Sequence, residues 1–99
     1  MKLPLAAKTF GELGHEKRLM IIRLLIQTEP KGLTMGEISQ QTNTPDSTLT
    51  HHITRLEQAA LISRQAEAQS IRCRINIATI RALADFLLKE CCKNHDKIC

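Results

Sequence analysis

Between Leu61 and Ile77 the side chains alternate in character instead of following a helical period, and helical patterns stand on both sides of that stretch. A chain that leaves its helical period for one late stretch and then returns to it must attach a β-hairpin to a helical body. Residues 61–65 and 70–77 are the expected strands, and the short polar stretch 66–69 suits the hairpin tip. The 99 residues allow one core and not two, since a chain this short buries only about two thirds of the surface its unfolded form exposes.

The helical body divides by its breakers. Residues 5–13 carry apolar Leu5, Ala6, Phe10 and Leu13, with Gly11 expected to break the pattern and Gly14 to stop it. Residues 15–27 put Leu19, Ile22, Leu25 and Ile26 on one stripe, with Arg18 and Arg23 off it, and end before Pro30 and Gly32. A third helix over 34–41 starts with the capping box of Thr34 and Glu37 and turns Met35 and Ile38 inward. After Thr42 and Asn43, Thr44 is the expected N-cap and Pro45 the first helical residue of a fourth helix that runs to about Ala59. In residues 78–92, Ile80, Leu83, Ala84, Leu87 and Leu88 fall at i, i+3, i+4, i+7 and i+8, an amphipathic stripe that reads as core. Three helices, a fourth, a hairpin and a last helix give a mainly α chain with a β-hairpin wing, the order of a winged helix-turn-helix. The expected division is one domain over 1–92 and a tail over 93–99.

With 42% hydrophobic and 24% charged residues the composition is that of a soluble globular chain. A net charge of +4 and a pI near 9.1 suit a polyanionic partner. Only two aromatic residues, Phe10 and Phe86, are present, which excludes the base-stacking platform of single-strand and RNA binders. No run approaches the roughly 20 apolar residues of a membrane span, and no signal-peptide core follows Met1, so a cytoplasmic location is expected. Catalysis has little to build on. His51, His52 and Cys73 are near in sequence, but no Gly-rich phosphate cradle accompanies them, and the chain is not expected to be an enzyme. A protein-interaction module is the other class, and it predicts no salt-dependent binding to duplex DNA.

On the fourth helix, stepping about 100° per residue from Leu49 places Leu49, His52, Ile53, Leu56 and Ala60 on one inward face. Ser47, Thr50, His51, Thr54 and Arg55 point elsewhere, and no acidic residue lies between Ser47 and Arg55. Small hydrogen-bonding side chains beside a helix N-terminus, with its free N–H groups and positive dipole end, can enter a major groove. Arg64, Arg72 and Arg74 occupy wing positions from which they would reach flanking phosphates. Cys73 has the opposite parity to Arg72 and Arg74 and points inward as a structural thiol.

The stretch G-H-E-K-R-L-M-I-I-R-L-L from Gly14 to Leu25, and S-T-L-T-H-H-I-T-R-L from Ser47 to Leu56 followed by A-A-L-I from Ala59, resemble the ArsR/SmtB repressors. These are small winged-helix dimers that leave DNA on binding a metal or metalloid, and the resemblance covers about residues 8 to 92. It implies that Ser47, Thr48, Thr50 and His51 contact operator DNA, and that a homodimer forms through the first and last helices. The chain also departs from the family. Its wing tip reads Glu67-Ala68-Gln69 where E-G-R is common, and its third helix lacks the cysteine pair of many arsenic sensors. Only Asp85 stands where the last-helix zinc site would need spaced Asp and His residues.

Cys91, Cys92 and Cys99 gather within nine residues, with His95 and Asp96 among them. Three thiolates suit a soft, pyramidal ion such as trivalent arsenic or antimony. Adjacent helical residues diverge by about 100°, so Cys91 and Cys92 share an ion only where the helix ends or unwinds. Family members with an adjacent C-terminal Cys pair plus a third Cys respond to trivalent arsenic, so the resemblance points the same way. Zinc on Cys91, Cys92, His95 and Cys99 is a second reading. A redox or persulfide switch bridging to Cys99 is a third, and a frayed tail with Cys91 continuing the core stripe is the fourth.

Overall fold

The computed structural model describes residues 1–91 and 93. Among them, α1 spans Leu3–Leu13, α2 Glu16–Gln27, β1 Leu33–Thr34, α3 Met35–Thr42, α4 Asp46–Gln58, β2 Ile62–Glu67, β3 Ser70–Ile75 and α5 Ile77–Leu88. The strands form one antiparallel sheet in the order β1-β3-β2. The architecture is the expected winged helix-turn-helix with one strand more, because Leu33 pairs with Cys73 and Thr34 with Arg72.

Gly32 makes that third strand possible. Its φ is +72°, and a Cβ there would stand 2.1 Å from the Cys73 carbonyl oxygen, so only glycine brings the chain this close to β3. Gly11, in contrast, does not break α1. Open space surrounds it and the helix continues through it.

The core is built from Ile21 and Leu25 of α2, Ile38 of α3, Leu49, Ile53 and Leu56 of α4, Leu61 and Cys73, all fully enclosed. On α2 the buried stripe is Ile21, Ile22 and Leu25, whereas Leu19 and Ile26 are exposed, a correction to the stripe read from periodicity. With apolar residues at 19–22 and 24–26 the wheel has no unique inward face, and packing against α3, α4 and β3 makes the choice.

The capping box forms as expected. Glu37 N–H donates to Thr34 Oγ1 at 3.2 Å and Thr34 N–H to Glu37 Oε1 at 2.8 Å. The start of α4 is shifted by one residue, with Pro45 as N-cap and Asp46 first in the helix. Thr44 is buried, its hydroxyl sharing a 2.8 Å hydrogen bond with that of Thr42 and its carbonyl accepting from Ser39 Oγ at 2.6 Å. That hydroxyl holds the α3–α4 turn together instead of capping. α4 ends in a Schellman motif: Leu61 N–H reaches Leu56 O at 3.0 Å and Ala60 N–H reaches Glu57 O at 2.9 Å. Ala60 therefore sits outside the helix at φ 60° and is exposed, not part of the inward face.

The first hairpin strand runs two residues further than expected and the second stops two residues short, leaving Ala68 and Gln69 as the turn. Its register pairs Ile62 with Ile75 and Arg64 with Cys73. Directly opposed residues share a face, so Arg64 stands on the Cys73 side and not with Arg72 and Arg74, which corrects their grouping. α5 stops at Leu88, four residues before the expected end, and only Leu83 on it is buried. Leu87 and Leu88 are 65% and 63% exposed, and on α1 Leu3 and Leu5 are 68% and 54% exposed. The last-helix stripe is thus core at Ile80 and Leu83 but exposed at its far end, Leu87 and Leu88.

Candidate nucleic-acid interface

α4 carries two faces that its sequence spacing separates cleanly. Leu49, His52, Ile53 and Leu56 are buried, while Ser47, Thr48, Thr50, His51 and Arg55 are exposed. Thr50 Oγ1 donates back to Asp46 O at 2.9 Å, and no side chain caps the helix start. The wing flanks the Thr50 side: a cleft of about 450 Å³ lies between Asp46, Leu49 and Thr50 on one wall and Gln69, Ser70 and Ile71 on the other.

His52 fixes this face from beneath. Its Nδ1 accepts from Arg18 Nε at 3.0 Å, and its ring packs edge-on against His15 with centroids 4.6 Å apart. Burial, more than the neighbouring His15 and Arg18, pushes its imidazole below the ordinary titration range. An imidazole accepting at Nδ1 must be neutral. The unfolded chain therefore takes up this proton first as pH falls, from about pH 6.5 downwards, and stability falls until the pH lies below the folded-state value. Melting temperature should decline between about pH 7 and pH 5, and less so in His52→Gln; parallel declines in parent and variant would assign the effect to other groups.

The arginines read as phosphate contacts are already engaged. Arg55 donates from Nε and Nη2 to the two oxygens of Glu12 at 2.9 and 2.6 Å, and that pair holds the Glu12 carboxyl below its ordinary range. Arg64 donates from Nε and Nη2 to Glu57 Oε1 at 3.0 and 2.6 Å. Arg72 Nε reaches Glu67 Oε2 at 2.9 Å, and its side chain is 16% exposed. Arg74 donates to Gln65 Oε1 at 2.5 Å and to Pro30 O at 3.3 Å. Glu12 had no local signal in the sequence, because it comes to α4 from 43 residues away.

Cys73 is enclosed under the wing and donates to Met35 Sδ at 3.5 Å. Burial pushes its thiol up to about 11, which keeps it protonated and inert. Cys91 lies in a turn past α5, its N–H reaching Leu88 O at 2.8 Å, and is exposed. Lys89 at ψ 130° takes the chain off the helical path, and Glu90 at φ 63° completes the turn. Cys92, Cys99 and His95 lie outside the described residues, and no group of three metal-ligating side chains occurs among the described ones.

A helix pair joined by a tight turn, whose second helix presents a polar face beside a β-hairpin, defines a winged helix-turn-helix protein. Residues 13–65, more than half of the chain, match a family model described as a helix-turn-helix domain, and the chain belongs to that family. It is 26% identical over 81 residues to the transcriptional activator HlyU of Vibrio cholerae, spanning 82% of this chain and 72% of HlyU. The structure of HlyU shares the fold at a TM-score of 0.70 and 23% identity, over 93% of this chain and 99% of that one. NolR from Sinorhizobium fredii superposes at 0.71 with 21% identity, over 87% of this chain and 83% of NolR. The homodimeric winged helix-turn-helix DNA-binding domain of Mb0332 from Mycobacterium bovis, a possible ArsR-family regulator, superposes at 0.70 with 23% identity, over 94% and 86%.

Proposed function

We propose that the protein is a homodimeric transcriptional repressor that acts in the cytoplasm, reads duplex DNA with α4 and is released by trivalent arsenic or antimony. The observation that carries the DNA reading is the exposed surface of Ser47, Thr48, Thr50 and His51, with no acidic residue from Ser47 to Arg55, locked in orientation by the buried neutral His52. Family membership and the similarity to the activator HlyU support it. In a dimer joined by α1 and α5, two α4 helices would meet successive major grooves about 34 Å apart. Arg74 would flank them; Arg55, Arg64 and Arg72 would first have to leave their carboxylates. No helix among the described residues is long and apolar enough to cross a membrane.

The inducer reading rests on the chemistry of Cys91, Cys92 and Cys99, a three-sulfur donor set suited to a pyramidal ion. α5 ends at Leu88, before Cys91. Closing such a site would pull on the end of α5, with a coupling of about 1–3 kcal/mol. A second reading, release by thiol oxidation, is favoured by the similarity to a structure of HlyU described as reduced; zinc is a third thiophilic ligand for the same residues.

Fluorescence anisotropy on duplex DNA from upstream of its own gene tests both parts. Affinity should fall steeply with salt and drop about tenfold in His51→Ala, one lost base contact. Arsenite should weaken binding of reduced protein several-fold to about a hundredfold, and Cys91→Ser should abolish that response. A salt-independent parent removes the DNA reading. Release by oxidant alone, reversed by dithiothreitol, moves the inducer from arsenic to redox.

A further inference from the structure

Glu12 is the junction of three helices. From α1 it accepts both arms of Arg55 on α4, and its Oε2 also lies 3.3 Å from Arg18 Nη1 on α2. Arg18 in turn donates to His52, directly beneath the exposed face of α4. The two ends of the Glu12–Arg55 pair differ in freedom: Glu12 is 14% exposed and braced by Arg18, whereas Arg55 is 48% exposed. The carboxylate is the fixed partner and the guanidinium the one with somewhere to go.

We propose that Glu12 is a latch that holds Arg55 away from backbone phosphates, so that the position of α1 sets how many cations the α4 face offers to DNA. The inference rests on the reading of α4 as the DNA-contacting helix. A bidentate carboxylate occupies the same planar fork that would clasp a phosphate, and a guanidinium neutralised in this way releases no counterion when DNA arrives. Arg55 belongs to the face in question. On the wheel Arg55 lies between His51 and Thr48, the side of α4 away from the wing. A cleft of about 260 Å³ lined by Leu5, Lys8, Gln58 and Ala59 opens beside the pair and gives the side chain room to swing. The Arg55 end of the pair is half-exposed, where ion pairs add little to stability, and Glu12 keeps Arg18 when Arg55 leaves, so the fold stays intact. α1 is also an element open to displacement, since Leu3 and Leu5 on it are uncovered by the chain itself. Glu12 is thus a positioning residue for DNA affinity; it does not touch DNA.

The test is a double-mutant cycle of Glu12→Gln and Arg55→Gln, read as the salt dependence of binding to a random-sequence duplex, because phosphate contacts are sequence-independent. Glu12→Gln should steepen the slope of log affinity against log salt by about 0.9, one added phosphate contact, and bind several-fold tighter at low salt. In the double variant that gain should vanish. Where Glu12→Gln does not fold, Glu12→Asp keeps the charge but shortens its reach across to Arg55, and should steepen the slope in the same direction. A parent that binds duplex with no salt dependence overturns the reading of α4 and the latch with it. A salt-dependent parent with an unchanged or shallower slope in the Glu12 variants overturns the latch alone.

Discussion

Replacing Leu87 and Leu88 by glutamate should turn the proposed dimer into a monomer whose affinity for duplex DNA is at least about a hundredfold lower. Both side chains are nearly two thirds exposed on α5, and Leu3 and Leu5 are comparably uncovered on α1, which packs against it. Covering a leucine contributes about 1.5–3 kcal/mol when its exposure changes completely. A twofold interface counts each residue twice. Two glutamates per chain would remove that term and bring like charges together across the axis. The DNA loss follows because one reading head remains where two were tethered. Since these leucines are outside the chain's own core, circular dichroism should report unchanged helix content. Sedimentation velocity measures the change in mass directly: a variant that sediments like the parent would place the dimer contact elsewhere.

How far the sequence could foresee this varies with how local the physics is. The capping box of Thr34 and Glu37 and the inward face of Leu49, His52, Ile53 and Leu56 were legible because each depends on residues within a turn or two. Cys73 was legible for the same reason, since strand parity alone turns it inward. Three features depended on distant partners. The α2 stripe slid because its apolar residues surround the helix, and only packing selects Ile21 over Leu19. Arg55 and Arg64 looked available for phosphate, yet Glu12 and Glu57 engage them in the folded chain. The apolar stripe of residues 80–88 looked like core, but among the described residues nothing folds over Leu87 and Leu88.

The two-residue strand β1 was the hardest element to foresee, and it carries the second large effect. Gly32→Ala should destabilise the protein by about 3 kcal/mol, lowering its melting temperature by roughly 10–20 °C. Part of the loss is the left-handed conformation at φ +72°, which costs a residue with a Cβ about 1–2 kcal/mol. The rest comes from the added Cβ meeting the Cys73 carbonyl oxygen at 2.1 Å. That oxygen is backbone and cannot swing away as a side chain would. The pairing of Leu33 with Cys73 must then open and uncover Leu33, which is 7% exposed in the native fold. Gly11→Ala is the matched control: its Cβ meets nothing within 4 Å in mid-α1, and it should stabilise by about 0.5–1 kcal/mol through helix propensity. Melts of both variants at one protein concentration separate the two causes, because a dimer's melting temperature depends on concentration. If Gly32→Ala melts within about 2 °C of the parent, the close approach of residue 32 to β3 is not a feature of the folded protein. The turn from α2 into the sheet would then have to take another path.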